Sequence, residues 1–138
     1  MSHLVRTSIA IEKPLYDQLE RLVQSSGYRN RSEFVRDMIR ERLVQRQWAR
    51  DREVLGTITL VYDHHRRKLP EKLIDLQHHH HTHVLVTTHV HLSHDLCAEV
   101  ILVRGRASLV RALADAMHRQ KGVLTAELSM SGTGAGLH

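Results

Sequence analysis

Before residue 44 the chain offers one β-prone run and two amphipathic helical stretches, and that set cannot close a core by itself. The run Leu4-Val5-Arg6-Thr7-Ser8-Ile9-Ala10-Ile11 has a period of two. Thr7, Ile9 and Ile11 share one face of it, and Arg6, Ser8 and Ala10 the other. Pro14 suits the first turn of a helix with Leu15, Leu19, Leu22 and Val23 at helical spacing, which Gly27 ends. A second helix is expected from Ser32 as N-cap, with Val35, Met38, Ile39 and Leu43 as its apolar stripe. Roughly 50 residues with a single strand leave a strand edge and two helix stripes exposed. A second copy removes both problems, because two strands pair antiparallel and four helices share one core.

The order strand-helix-helix, with Gly27-Tyr28-Arg29-Asn30-Arg31-Ser32-Glu33 at the helix junction, resembles the ribbon-helix-helix DNA-binding domain. That resemblance implies a paired ribbon in the major groove of double-stranded DNA. Arg6 would then contact guanine, Ser8 a base edge and Ala10 a thymine methyl. Ala10 departs from the polar residue that the family often carries there. Backbone amides at Ser32 open a helix where a phosphate can bind, with Arg29 and Arg31 beside it. Without the resemblance, the same residues read as a basic helical dimerisation module with Arg6 and Ser8 facing solvent.

Charge supports a division of labour. The 138 residues carry 20 Lys+Arg against 15 Asp+Glu, a formal net charge of +5. Counting along the sequence, residues 1–52 hold 11 basic and 7 acidic groups (+4), and residues 53–138 hold 9 and 8 (+1). Two domains are expected on that basis, 1–52 and 53–138. There is one cysteine, Cys97, so no intrachain disulfide is possible. No apolar run approaches the ~20 residues of a membrane span, and Met1–Pro14 has no apolar signal region. A reducing, cytoplasmic setting and no membrane partner are the expectation.

From residue 53 the pattern changes. Strands are expected over 54–62, 84–92, 97–103 and 123–130, and helices over 67–81 and 107–120, ended by Gly122. The order βαββαβ is that of the ferredoxin-like (ACT-like) sandwich, so the whole chain is α+β. Such a sheet has one face covered by helices and one open to a second subunit. Pairing of strands at one end and sheets at the other would build a homotetramer, a dimer of dimers.

Thirteen histidines are present, nine of them from His64 to His91. They form the run His78-His79-His80-His81, the pair His89-Val90-His91 and single residues around them. On a strand His89 and His91 point the same way, and Cys97 opens the neighbouring strand of the hairpin. Two imidazoles and a thiolate therefore converge, and His78, near a helix end, can complete the set from a partner subunit. Zn(II) would take these donors tetrahedrally, Ni(II) or Cu(II) in a plane, and the residues alone do not choose. Taken singly, an H-x-H pair and a free cysteine are more often structural, and the histidine run suits a helix C-terminus.

Gln77-His78-His79-His80-His81, followed by Thr88-His89-Val90-His91-Leu92-Ser93-His94-Asp95-Leu96-Cys97-Ala98-Glu99, resembles the signature of the nickel-responsive (NikR-type) transcriptional regulators. The resemblance implies one Ni(II) per subunit, held by His89, His91 and Cys97 of one subunit and His78 of its partner. It implies that Glu99 steadies the ligands, with Tyr62 and His64 close to the site. It also implies a second cation, potassium, between the two domains at Glu33 and Asp37, which otherwise read as a solvated helix face. Arg66 and Arg67 would contact DNA phosphate when nickel is present. The function implied is repression of nickel uptake genes at an operator of palindromic half-sites. The alternatives are a sensor of Zn, Co or Cu on the same scaffold, or a metal storage or delivery protein, for which His65, His83 and His94 would be extra donors. No catalytic motif or phosphate loop points to an enzyme.

Overall fold

A computed structural model of the chain describes residues 3–138. Its elements run α1 (Lys13–Ser25), α2 (Arg31–Ala49), β1 (Glu53–Asp63), α3 (Leu69–His79), β2 (Val84–His91), β3 (Leu96–Arg106), α4 (Ala107–His118) and β4 (Val123–Ser131). They fall into two compact units, Met1–Leu43 with Gly136–His138, and Val44–Ala135, so the division lies within α2. None of the helices among the described residues is long and apolar enough to cross a membrane.

In the first unit α1 begins as expected, with Pro14 in its first turn. Gly27 follows the helix in the left-handed region, φ +74°, which a side chain would strain. The start of α2 differs from expectation. Its cap is Asn30, whose Oδ1 accepts the N–H of Glu33 at 2.9 Å, and Ser32 lies inside the first turn. Asn competes as well as Ser for this position, and its carbonyl reaches the third helical amide from two residues further back. Tyr28 packs edge-on against Phe34 with ring centroids 5.3 Å apart. Leu15, Leu22, Met38 and Ile39 stay exposed.

The β-prone run also differs. Residues 3–12 carry no strand, and Leu4, Val5 and Ile9 are exposed. A strand exists through the hydrogen bonds of a neighbour, and nothing in this unit presents a free edge to residues 4–11.

The second unit has the expected βαββαβ order. Its sheet is ordered β2-β3-β1-β4, and every neighbouring pair is antiparallel. In central β1, Val54, Gly56, Ile58, Leu60 and Tyr62 are buried while the residues between them are not. The buried set meets Leu69 and Leu73 of α3 and Val110, Leu113 and Met117 of α4 in one apolar cluster. Each fully buried aliphatic side chain there contributes about 1.5–3 kcal/mol. At Gly56 helix α4 comes so near that an added Cβ would stand 2.5 Å from Val110 Cγ1. On the opposite face Val86, Val90 and Val100 remain exposed.

Two details fix the ends of elements. Strand β3 runs on to Arg106, past the expected residue 103, because Arg104, Gly105 and Arg106 pair with Leu55, Val54 and Glu53. Helix α3 starts at Leu69, two residues later than expected, because Lys68 takes a left-handed conformation, φ +66°. Helix α4 has no side-chain cap of its own at Arg106; Asp51 Oδ1 accepts the N–H of Ser108 at 2.7 Å instead. Those hydrogen bonds, from the Ser108 backbone first, hold the Asp51 carboxyl below the ordinary aspartate value.

Candidate metal centre

The hairpin β2–β3 aligns the donor residues. His91 stands opposite Cys97 and His89 opposite Glu99, while Tyr62 of β1 faces Cys97 from the other side. All five lie on the helix-covered side of the sheet, because period two carries alternate residues to one face. Cys97 and Tyr62 are buried, Glu99 nearly so, and the edge-strand histidines are exposed.

Cys97 Sγ lies 3.3 Å from His91 Nδ1. An ion with bonds of about 2.0 Å to nitrogen and 2.3 Å to sulfur separates neighbouring donors by roughly 3.0–3.5 Å. The spacing therefore suits one shared ion and fits planar and tetrahedral geometry alike. Burial, and then the negative charge of Glu99, push the Cys97 thiol above its ordinary value. The proton is thus held until a cation displaces it.

His89 is held from behind. Its Nδ1 lies 3.3 Å from Glu99 Oε1 and 3.3 Å from the Tyr62 hydroxyl. Tyr62 donates to the same Glu99 oxygen at 3.1 Å, and Gln77 Nε2 donates to the other at 3.1 Å. With Nδ1 engaged, Nε2 of His89 is the nitrogen left for an ion. Burial, followed by the Glu99 charge, raises the Tyr62 hydroxyl well above its ordinary value, so it stays a donor.

His64 comes closer than its candidate role requires. The donor atoms of His64, His91 and Cys97 all lie within 4.8 Å of one another. The His64 ring packs edge-on to that of His91 at 5.5 Å. His78 lies in the last turn of α3 and is not in either of the converging donor groups found among the described residues. Gln77 received no role from the sequence; its signal was its place one residue before the histidine run, on the helix that covers the sheet.

The other candidate residues sit apart. Arg6, Ser8, Ala10, Arg29, Arg31 and Ser32 are exposed in the first unit. Glu33 and Asp37 border a shallow pocket with Tyr28, Arg36 and Arg40. Asp37 is already engaged, by the Tyr28 hydroxyl at 2.7 Å and Arg40 Nη1 at 2.8 Å. Those two bonds, Tyr28's first, lower its carboxyl. Arg66 and Arg67 line an open depression with His65, Lys72 and Lys121.

A profile described as "NikR C terminal nickel binding domain" matches residues 55–131, and one described as "Ribbon-helix-helix protein, copG family" matches residues 5–46. The chain belongs to the family of NikR-type regulators. Relatives named "Putative nickel-responsive regulator" share its whole length. One from Desulfotalea psychrophila is 46% identical, covering 98% of this chain and 99% of its own. One from Solibacter usitatus is 48% identical with 98% of each chain covered, and one from Geobacter metallireducens 45% with 100% of each. The family is one of transcription regulators and not of enzymes. A solved structure of an uncharacterized protein from Thermotoga maritima superposes with a TM-score of 0.52. It covers 56% of this chain and 96% of its own at 14% identity, which speaks for the fold alone.

Proposed function

We propose that this chain is a nickel-responsive, DNA-binding transcriptional regulator of the cytoplasm that represses nickel uptake genes when Ni(II) is bound. The observation that carries the reading is the Cys97–His91 pair at 3.3 Å, beside a His89 that Glu99 and Tyr62 orient, in a chain whose first part matches a ribbon-helix-helix profile.

Residues 1–52 form the DNA-binding and dimerisation domain, and residues 53–138 the nickel-binding and tetramerisation domain. Ni(II), one per subunit, is held by His89, His91 and Cys97 with His78 of the partner subunit. The exposed valines on the open sheet face suit a subunit contact, and the unpaired run at residues 4–11 suits a ribbon completed by a second copy. The assembly is a homotetramer, a dimer of dimers, on palindromic half-sites. Arg6, Ser8 and Ala10 read bases. Arg29, Arg31, Ser32, Arg66 and Arg67 meet phosphates, and potassium sits at Glu33 and Asp37. Filling a site shared by two subunits biases the tetramer towards the DNA-competent arrangement, and DNA in turn tightens nickel.

An anaerobic Ni(II) titration followed by absorption, with Cys97→Ala alongside, tests this. The expected result is one tight equivalent per chain with a thiolate charge-transfer band, absent in the variant, and duplex binding that requires the metal. Nickel-dependent duplex binding that survives Cys97→Ala would sink it. The 3.3 Å donor spacing also fits a tetrahedral ion, so a Zn(II) sensor is the second reading. Duplex binding switched on by Zn(II) and not by Ni(II) would select it.

A further inference from the structure

A second group of donors stands outside the Cys97 centre. His65 in the loop after β1, and His94 and Asp95 in the β2–β3 turn, place one donor atom each within 4.8 Å of the others. His65 Nε2 is 3.3 Å and His94 Nδ1 3.1 Å from the same Asp95 oxygen, and the two rings lie 5.2 Å apart. An ion with bonds of about 2.0–2.2 Å to nitrogen and oxygen holds adjacent donors roughly 2.9–3.5 Å apart, which matches both separations.

The loops that carry these side chains are tied in place. The His64 N–H donates to the Asp95 carbonyl at 3.0 Å, joining loop to turn. Asp63 Oδ1 accepts the His65 N–H at 2.9 Å, and Ser93 Oγ accepts the Leu96 N–H at 3.2 Å. The donors thus converge from two braced loops at one end of the sheet. All three side chains are exposed, which leaves the remaining coordination positions to water.

We propose that His65, His94 and Asp95 form a second transition-metal site, separate from the Cys97 centre and open to solvent. Two imidazoles and one carboxylate take a borderline divalent ion such as Ni(II), Co(II) or Zn(II), whereas Ca(II) and Mg(II) prefer oxygen alone. With three protein ligands and no thiolate, it binds more weakly than a four-ligand centre with sulfur. Its occupant would clamp the loop carrying Arg66 and Arg67 to the β2–β3 turn, so metal concentration bears on where that basic loop sits.

Ni(II) alone is the probe. The full-length protein and a His65→Gln/His94→Gln variant are titrated by equilibrium dialysis while the thiolate band is recorded. The variant is expected to bind one equivalent fewer per chain with its sulfur band intact. Asp95→Asn, which keeps the shape of the turn, is expected to weaken that same equivalent at least tenfold. Equal numbers of equivalents in the two proteins would overturn the site. So would loss of the sulfur band together with the equivalent, since the three residues would then serve the Cys97 centre. Because that band reports on Cys97 independently, failure of this site and failure of the nickel-sensor reading are told apart in one experiment.

Discussion

In β1 every second residue from Val54 to Tyr62 is buried, whereas among the described residues up to Leu43 only Val23 and Phe34 are. The second unit satisfies its strands and apolar helix faces within one chain. The first leaves Leu15, Leu22, Met38 and Ile39 in water and residues 4–11 without a ladder. Both obey the same pattern rules. What differs is whether the complementary surface lies on the same polypeptide, so pattern foretells a face and not its owner.

Hydrogen exchange breaks or keeps this comparison with the largest effect. Amides of β1 and β3 should exchange several orders of magnitude more slowly than those of residues 4–11, near the global limit. Protection over 4–11 should rise with protein concentration if a second copy completes the strand. Protection there that ignores concentration would end the dimer reading.

Side-chain truncation sharpens the contrast. Ile58→Ala, in the closed core, should cost about 2–5 kcal/mol in denaturant unfolding at any protein concentration. Leu22→Ala should cost far less in dilute protein and show itself mainly as a shift in the concentration dependence. Equal, concentration-independent losses at both sites would mean that the first unit has a core of its own.

How much of this was legible follows from the same division. The β1 alternation and the H-x-H pair followed by Cys97 were readable because strand period and hairpin pairing act locally, and register put His91 opposite Cys97. The convergence of Gln77, Tyr62 and Glu99 was not, because it joins α3, β1 and β3, whose meeting no spacing encodes. Nor was the His65–His94–Asp95 group, which joins two loops about thirty residues apart. The N-cap was misplaced at Ser32 because Asn30 and Ser32 are both good caps, and side-chain reach decided between them.

Smaller effects come from the caps. Asn30→Ala should destabilise α2 by about 1 kcal/mol, while Ser32→Ala should be close to neutral for unfolding. The Asp51 carboxyl is depressed on folding, so its contribution is complete above the ordinary aspartate value near ~3.9. It fades as pH falls through the lower folded value. The gap in melting temperature between wild type and Asp51→Ala should therefore be steady at neutral pH and close in acid. A gap that stays open in acid would assign the loss to something other than the carboxylate.

The contact at Gly56 bears on how this chain can change over generations. Any other residue there adds a Cβ, and the space it needs is held by a methyl of Val110. Even Gly56→Ala would cross a valley of poorly folded proteins unless position 110 had shrunk first. The two codons are thus ordered in time, and a descendant with a side chain at 56 should carry a smaller residue at 110.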